Sequence, residues 1–303
     1  MTAPAVVLTS PKKARTPQRR SLALRTAILT VAAEYDRLSV RQLFYQLVTR
    51  GVIEKTEASY KRVCDASAQM RLAGELDYRK MTDGHRSRRV VYAHDGLRSA
   101  LADAYDFYRR DYWREQPETI EVWCEKDALT GVVQPVCDRF GVTYVATRGF
   151  PSITLRFESA QALRETGKPA TIFYFGDHDA SGRQISDNLE TELRQHGADV
   201  TVERVALNPD HIAEYGLPTR PGKWSDSRQA AFAARYGDAA VELDALPPDV
   251  LTTIVEACIV SAIDLAAWRR VAEVEALERQ TLESLALVNL QPGNRYALTD
   301  GAI

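Results

Sequence analysis

The chain of 303 residues lacks the features that mark several protein classes. It has no uncharged apolar stretch of about eighteen residues or more, so no segment is expected to cross a membrane as a helix. Its first apolar stretch is too short for a secretory signal and runs into a basic segment, so export is not expected. Cysteine is scarce: Cys64, Cys124, Cys137 and Cys258 are scattered and form no CxxC pair. That argues against a zinc cluster and fits reduced, buried cysteines of a cytoplasmic protein. Acid is missing from residues 1–20, which carry Pro4, Pro11 and Pro17 with Lys12, Lys13, Arg15, Arg19 and Arg20. This composition reads as a disordered basic arm. Beyond those residues there is no low-complexity tract, and no internal repeat.

What is present is enough for two domains with ordinary cores, given the length and a hydrophobic content of 45%. The net charge of −2 conceals a division. Residues 1–92 hold 18 Lys/Arg against 8 Asp/Glu, a net of +10, whereas residues 93–303 hold 21 against 33, a net of −12. Such polarity suggests one part that meets a polyanion and another that holds carboxylates for a metal, although basic tails also serve simply to solubilise.

The basic part reads as three helices and a hairpin. The first helix spans about 22–35. The second begins at Ser39, with Gln42 three residues on, a capping-box pattern. The third spans about 57–73 and stops at Gly74. "DYRKMTDGHRSRRVVYAHDG" then predicts a hairpin turning at Asp83-Gly84. Three helices and a hairpin make a winged helix over residues 21–92. Residues 93–118 form a linker helix. From 119 to 303, strands alternate with helices before a helical C-terminal extension: "TIEVWC", "VTYVAT", "PATIFYFG" and "DVTVERVAL" are strands, with helices between them. Alternation of this kind predicts an α/β fold with a mostly parallel sheet and flanking helices. Residues 208–240 read as irregular, and residues 247–285 as helical.

Ligands of open parallel sheets bind beyond the carboxyl ends of the strands. Glu125 follows "TIEVWC", and Asp177 and Asp179 follow "PATIFYFG", so three acids are expected at one sheet edge. Gly176 and Gly182 bracket the Asp pair and allow a tight turn. Mg²⁺ takes a few carboxylates and keeps waters for phosphate oxygens, and Mn²⁺ could substitute. One acid at a strand end would be read as a helix cap. Three favour a cation, because an unpaired cluster repels itself. The ring of His178 should point away from both neighbours.

These segments resemble a known family. "IEVWCEKDALTG" with "FYFGDHDASGRQI" is similar to the Toprim domain of topoisomerases, primases and some nucleases. The "EKDA" form resembles the type IIB enzymes: the A subunit of topoisomerase VI and the related meiotic break-forming transesterase. "VATRGFPSITLR" resembles the "GKGYPD" loop of that family, and "VELDAL" echoes its "AEIEAL" stretch. The resemblance implies that Glu125, Asp177 and Asp179 are metal ligands and that Arg148 and Gly149 lie beside DNA. The family's R-x-x-Y-Y motif, whose second Tyr attacks the DNA backbone, is matched by "SVRQLFYQLV" at Arg41 and Tyr45, with Phe44 in place of the first Tyr. By the same resemblance Tyr45 of one subunit works with the metal site of another, which implies a homodimer with composite active sites. The chain is short for an A subunit and resembles a small stand-alone form of the kind carried by mobile genetic elements. Whether an ATPase partner is needed stays open.

Helical spacing bears on the same residues. Val40, Leu43, Phe44, Leu47 and Val48 form the apolar stripe of the second helix, Tyr45 lies off its centre, and Arg41 stands one turn before it. Lys61 and Arg62 on the third helix, and Arg86, Arg88 and Arg89 on the expected wing, suit the phosphates of double-stranded DNA. Three functions are expected in this order: Mg²⁺-dependent DNA cleavage, with or without rejoining, through a Tyr45 adduct; a Toprim nuclease using activated water; and a non-catalytic DNA-binding module.

Overall fold

In the computed structural model of the chain, residues 16–82 and 93–289 are described. The chain divides into two compact units, Met1–Thr82 and Asp83–Ile303.

The first unit contains α1 (Thr16–Glu34), β1 (Leu38–Ser39), α2 (Val40–Thr49), α3 (Glu57–Leu72) and β2 (Met81–Thr82). The expected capping box is present: Ser39 Oγ accepts from the Gln42 amide at 3.1 Å and Gln42 Oε1 from the Ser39 amide at 2.9 Å. Two otherwise orphaned amides are thereby satisfied at the start of α2. Thr56 Oγ1 caps α3 by accepting from the Ser59 amide at 3.1 Å, and the chain leaves that helix through Gly74 at φ +73°, a left-handed step that glycine makes without strain. Ile28, Leu38, Leu43, Leu47, Val63 and Met70 are fully buried and form the core of this unit. β1 and β2 pair in parallel, Leu38 with Met81 and Ser39 with Thr82. The expected hairpin turn at Asp83-Gly84 lies outside the described residues.

The second unit is built on a four-stranded parallel sheet of β3 (Thr119–Cys124), β4 (Thr143–Ala146), β5 (Ala170–Phe175) and β6 (Val200–Ala206), in the order β4-β3-β5-β6. α4 (Leu97–Phe107) precedes the sheet, and α5 (Thr130–Phe140), α6 (Ile153–Glu165) and α7 (Ala180–Gln195) connect its strands. The two central strands read as near-continuous apolar runs because both their faces are covered. Trp123, Ile172 and Tyr174 pack with Leu163 of α6 and Ile185, Leu189 and Leu193 of α7. α5 packs instead against α10 (Pro248–Ser261). The register sets Cys124 opposite Phe175, so the two central strands end level and the residues after them emerge side by side.

Residues 208–240 carry more structure than the sequence suggested: α8 (Pro209–Glu214), α9 (Gln229–Tyr236), and β7 (Arg220–Pro221) antiparallel to β8 (Ala239–Ala240). The elements run from two to eight residues, too short to leave a periodic signature. α11 (Leu265–Asn289) packs on α4, and Arg110 Nε donates to Glu278 Oε2 at 2.6 Å beside that contact. Among the described residues no single helix is long and apolar enough to cross a membrane.

Candidate functional site

Glu125 leaves the end of β3 and donates its amide to the Phe175 carbonyl at 2.8 Å, which extends the pairing of β3 with β5 by one step. Its carboxylate then crosses in front of β5, where Oε2 accepts from the Asp177 amide at 3.0 Å. Two glycines make room for it. A Cβ at Gly176 would lie 2.8 Å from Glu125 Oε2, and one at Gly182 would lie 3.0 Å from it and 2.3 Å from the Asp177 carbonyl oxygen. Neither glycine has a positive φ. Their role is close approach, not the tight turn that the sequence suggested.

Asp177 Oδ1 accepts from the Leu243 amide at 2.9 Å, and Oδ2 faces Lys126 Nζ at 2.7 Å. Asp179 is the N-cap of α7, with Oδ1 accepting from the Gly182 amide at 2.9 Å, while Oδ2 faces Arg220 Nη2 at 3.3 Å. The capping role weighed for these acids thus falls to one oxygen of Asp179. Beneath the turn, Arg204 of β6 spends its guanidinium on the carbonyls of Gly176 (2.9 Å), Asp177 (2.5 Å) and Gly182 (2.9 Å).

Two further acids arrive from the C-terminal stretch. His178 and Val241 exchange backbone hydrogen bonds at 2.9 and 3.0 Å, which lays residues 239–241 along the Asp177–Asp179 turn. Glu242 then stands 3.8 Å from Arg220 Nε, and Asp244, wholly buried, 3.8 Å from Lys126 Nζ. The His178 side chain points away from the acids, as expected. Its ring meets Phe232 and Tyr236 edge-on. Burial, then the charges of Arg183 and Arg204, push its pKa down to about 4, so it is neutral at pH 7.

Five carboxylates, Glu125, Asp177, Asp179, Glu242 and Asp244, therefore gather round Lys126 and Arg220. Among the described residues Lys126 and Arg220 lie within 4 Å of these acids, and Arg204 sits beneath them on backbone carbonyls. The strain falls on Glu125, whose pKa rises to about 7 through burial and then the charge of Asp177. Asp177 is also raised, because its burial outweighs the opposing charge of Lys126. Burial by itself would lower Lys126, but Asp177 and Asp244 more than offset that and leave its ammonium firmly charged. Among the described residues, no three His, Cys, Asp or Glu side chains already stand at the spacing of a metal shell.

The loop after β4 borders the same edge. Thr147 and Gly149 donate to the carbonyls of Cys124 (2.9 Å) and Glu125 (3.3 Å). Arg148 holds φ +56°, a left-handed conformation uncommon outside glycine. Its guanidinium is 3.0 Å from Asp127 Oδ2 and largely exposed.

In the first unit, Tyr45 is more enclosed than an edge tyrosine, at 2% exposure. Phe44 meets its ring edge-on at 5.3 Å, and Lys55 Nζ lies 5.1 Å from the ring centre. The Arg41 guanidinium lies over Tyr60, whose ring also meets Phe44 edge-on at 5.3 Å. Lys61 and Arg62 are exposed on α3. Arg86, Arg88 and Arg89 lie outside the described residues.

Sequence reasoning did not single out Lys126, Arg204 or Arg220, and gave no role to Glu242 and Asp244. For Lys126 a signal existed, since a lysine beside a strand-end acid is placed to pair with the next acid along the edge. Comparison with protein-family models finds no match, and comparison with curated proteins finds none at a significant level.

Proposed function

We propose that the chain cleaves double-stranded DNA in a divalent-metal-dependent reaction, with Tyr45 as nucleophile and the Glu125–Asp177–Asp179 edge as the metal site. The observation that carries this reading is the gathering of Glu125, Asp177 and Asp179 at one sheet edge, oxygen donors of the kind that Mg²⁺ prefers, close enough for Asp177 to raise the pKa of Glu125. The same residues fit the ion, since a divalent charge there would cancel the repulsion that raises Glu125. Glu125, Asp177 and Asp179 would hold it, and the bound ion would offset charge building on the phosphate.

In this reading the first unit is a winged helix that lays Lys61 and Arg62 of α3 against phosphates. The phenolic oxygen of Tyr45 gives up its proton and bonds to phosphorus, the phosphorus–oxygen bond to the neighbouring sugar breaks, and the leaving sugar oxygen takes up a proton. The product is a phosphotyrosine that the same sugar hydroxyl can reverse. Arg41 supplies a guanidinium for the phosphate. Because Tyr45 is enclosed, its hydroxyl must be uncovered before it reaches a substrate. Tyr45 of one subunit would serve the acids of another, which makes the active form a homodimer.

The enclosure of Tyr45 also favours a second reading, hydrolysis by water at the acid edge with no adduct. One experiment separates them. Supercoiled plasmid is incubated with the protein and Mg²⁺ or Mn²⁺, and the products are resolved under denaturing conditions. Transesterification leaves protein on a DNA end, lost in both Tyr45→Phe and Asp177→Asn. Cleavage that survives Tyr45→Phe with free ends refutes it and supports hydrolysis.

A further inference from the structure

Lys126 occupies an unusual place in this cluster. Its ammonium is the nearest cation to Asp177, at 2.7 Å, and a second buried carboxylate, Asp244, lies 3.8 Å away in the same environment. The remaining oxygen of Asp177 is committed to the Leu243 amide. The other oxygen, Oδ2, is the one that Lys126 holds. Leu243 lies between Glu242 and Asp244, so one short segment both orients Asp177 and brings the alternative partner for the lysine.

We propose that Lys126 is a built-in counter-cation for Asp177, which a divalent ion displaces and which then transfers to Asp244. This rests on the metal reading given above, and it adds a positioning role for Lys126 and Asp244. A buried carboxylate left without a counter-charge is costly. An ammonium on a four-carbon stem stabilises the edge while no ion is bound, and its flexible stem allows a short shift between two acids. The exchange gives Asp177 a counter-charge in both states. Metal affinity is then set partly by competition with a residue of the chain itself.

The test is a double-mutant cycle on the full chain without DNA, read as Mn²⁺ affinity from the electron paramagnetic resonance signal of the free ion. Lys126→Met removes both competitor and repulsion and should tighten Mn²⁺ by about tenfold or more, as expected for loss of a unit charge a few ångströms away. Asp244→Asn should weaken Mn²⁺ in the wild-type background and have little effect in Lys126→Met, because Asp244 acts through the lysine. An equal loss in both backgrounds would mean that Asp244 acts on the ion directly and would overturn the exchange. A lysine that merely supports the fold would lower the melting temperature of the metal-free protein without tightening Mn²⁺. Lys126→Gln, polar and of similar length, serves if Lys126→Met does not fold. Asp177→Asn separates the two levels of inference. If wild-type binding is lost in Asp177→Asn but Lys126→Met binds no tighter than wild type, the exchange is wrong and the metal site stands. If neither wild type nor Lys126→Met binds Mn²⁺, both readings fall together.

Discussion

Gly182 lies in the first turn of α7, where replacement by alanine sets two effects against each other. Helix propensity alone favours alanine by about 1 kcal/mol. Against it, the new Cβ would stand 2.3 Å from the Asp177 carbonyl oxygen and 3.0 Å from Glu125 Oε2. The Glu125 side chain can give way, but the carbonyl cannot do so freely, because Arg204 Nη2 holds the same oxygen at 2.5 Å. Overpacking that must move backbone belongs at the upper end of the usual range of about 1–3 kcal/mol. Sterics therefore win, and Gly182→Ala should destabilise the second unit by about 1–2 kcal/mol net of propensity. Urea denaturation followed by tryptophan fluorescence is a suitable assay. Trp113, Trp123, Trp224 and Trp268 all lie in the second unit, so the signal reports on that unit. A lower midpoint with an unchanged slope is the expected result. A midpoint equal to or above wild type would refute the claim that Glu125 and the Asp177 turn fill the space in front of this glycine.

Two further predictions concern stability. Glu121 is buried within β3, where Oε2 accepts from Trp123 Nε1 at 2.7 Å, and burial raises its pKa. A carboxyl whose pKa is higher folded than unfolded contributes most below its unfolded pKa and loses that contribution as pH rises through the folded value. Glu121→Gln should therefore raise the melting temperature at pH 7, with the gain shrinking towards pH 4; an equal change at both pH values would contradict burial as the cause. Ser39→Ala removes the α2 capping box and should cost the first unit about 1 kcal/mol, read by urea denaturation in the helical circular dichroism signal, with no loss counting against the box as a stabilising contact.

The central strands were legible because a parallel strand covered on both faces leaves an apolar run that a polar residue follows, as Glu125 follows β3 and Asp177 lies two residues beyond β5. That pattern alone places three acids at one edge. Three other residues of the edge escaped notice for a physical reason. Arg220, Glu242 and Asp244 reach the edge through β7, β8 and the His178–Val241 bridge, and these segments are too short to show a period. The enclosure of Tyr45 was not legible, for another reason. A stripe argument presumes a half-exposed helix, whereas residues 42–47 of α2 are buried without interruption, so a position off the stripe's centre is still enclosed.

The distribution of partners at the sheet edge follows one rule. Buried carboxylates must be paired or hydrogen-bonded, and the chain meets that need unequally. Asp177 receives Lys126 and a backbone amide, and Asp179 receives Arg220 and the first turn of α7. Glu125 receives the Asp177 amide and the charge of Asp177 at short range, and it is the acid whose pKa climbs to about 7. A site evolved only for stability would place its cation beside the acid in greatest need. Here Lys126, the residue next to Glu125, reaches past it to Asp177. Repulsion from Asp177 helps to raise Glu125, and on the proposed reading a divalent ion would relieve it. Gly182→Ala probes the space available for that arrangement and Lys126→Met probes its charge, so the two variants test independent halves of the same site.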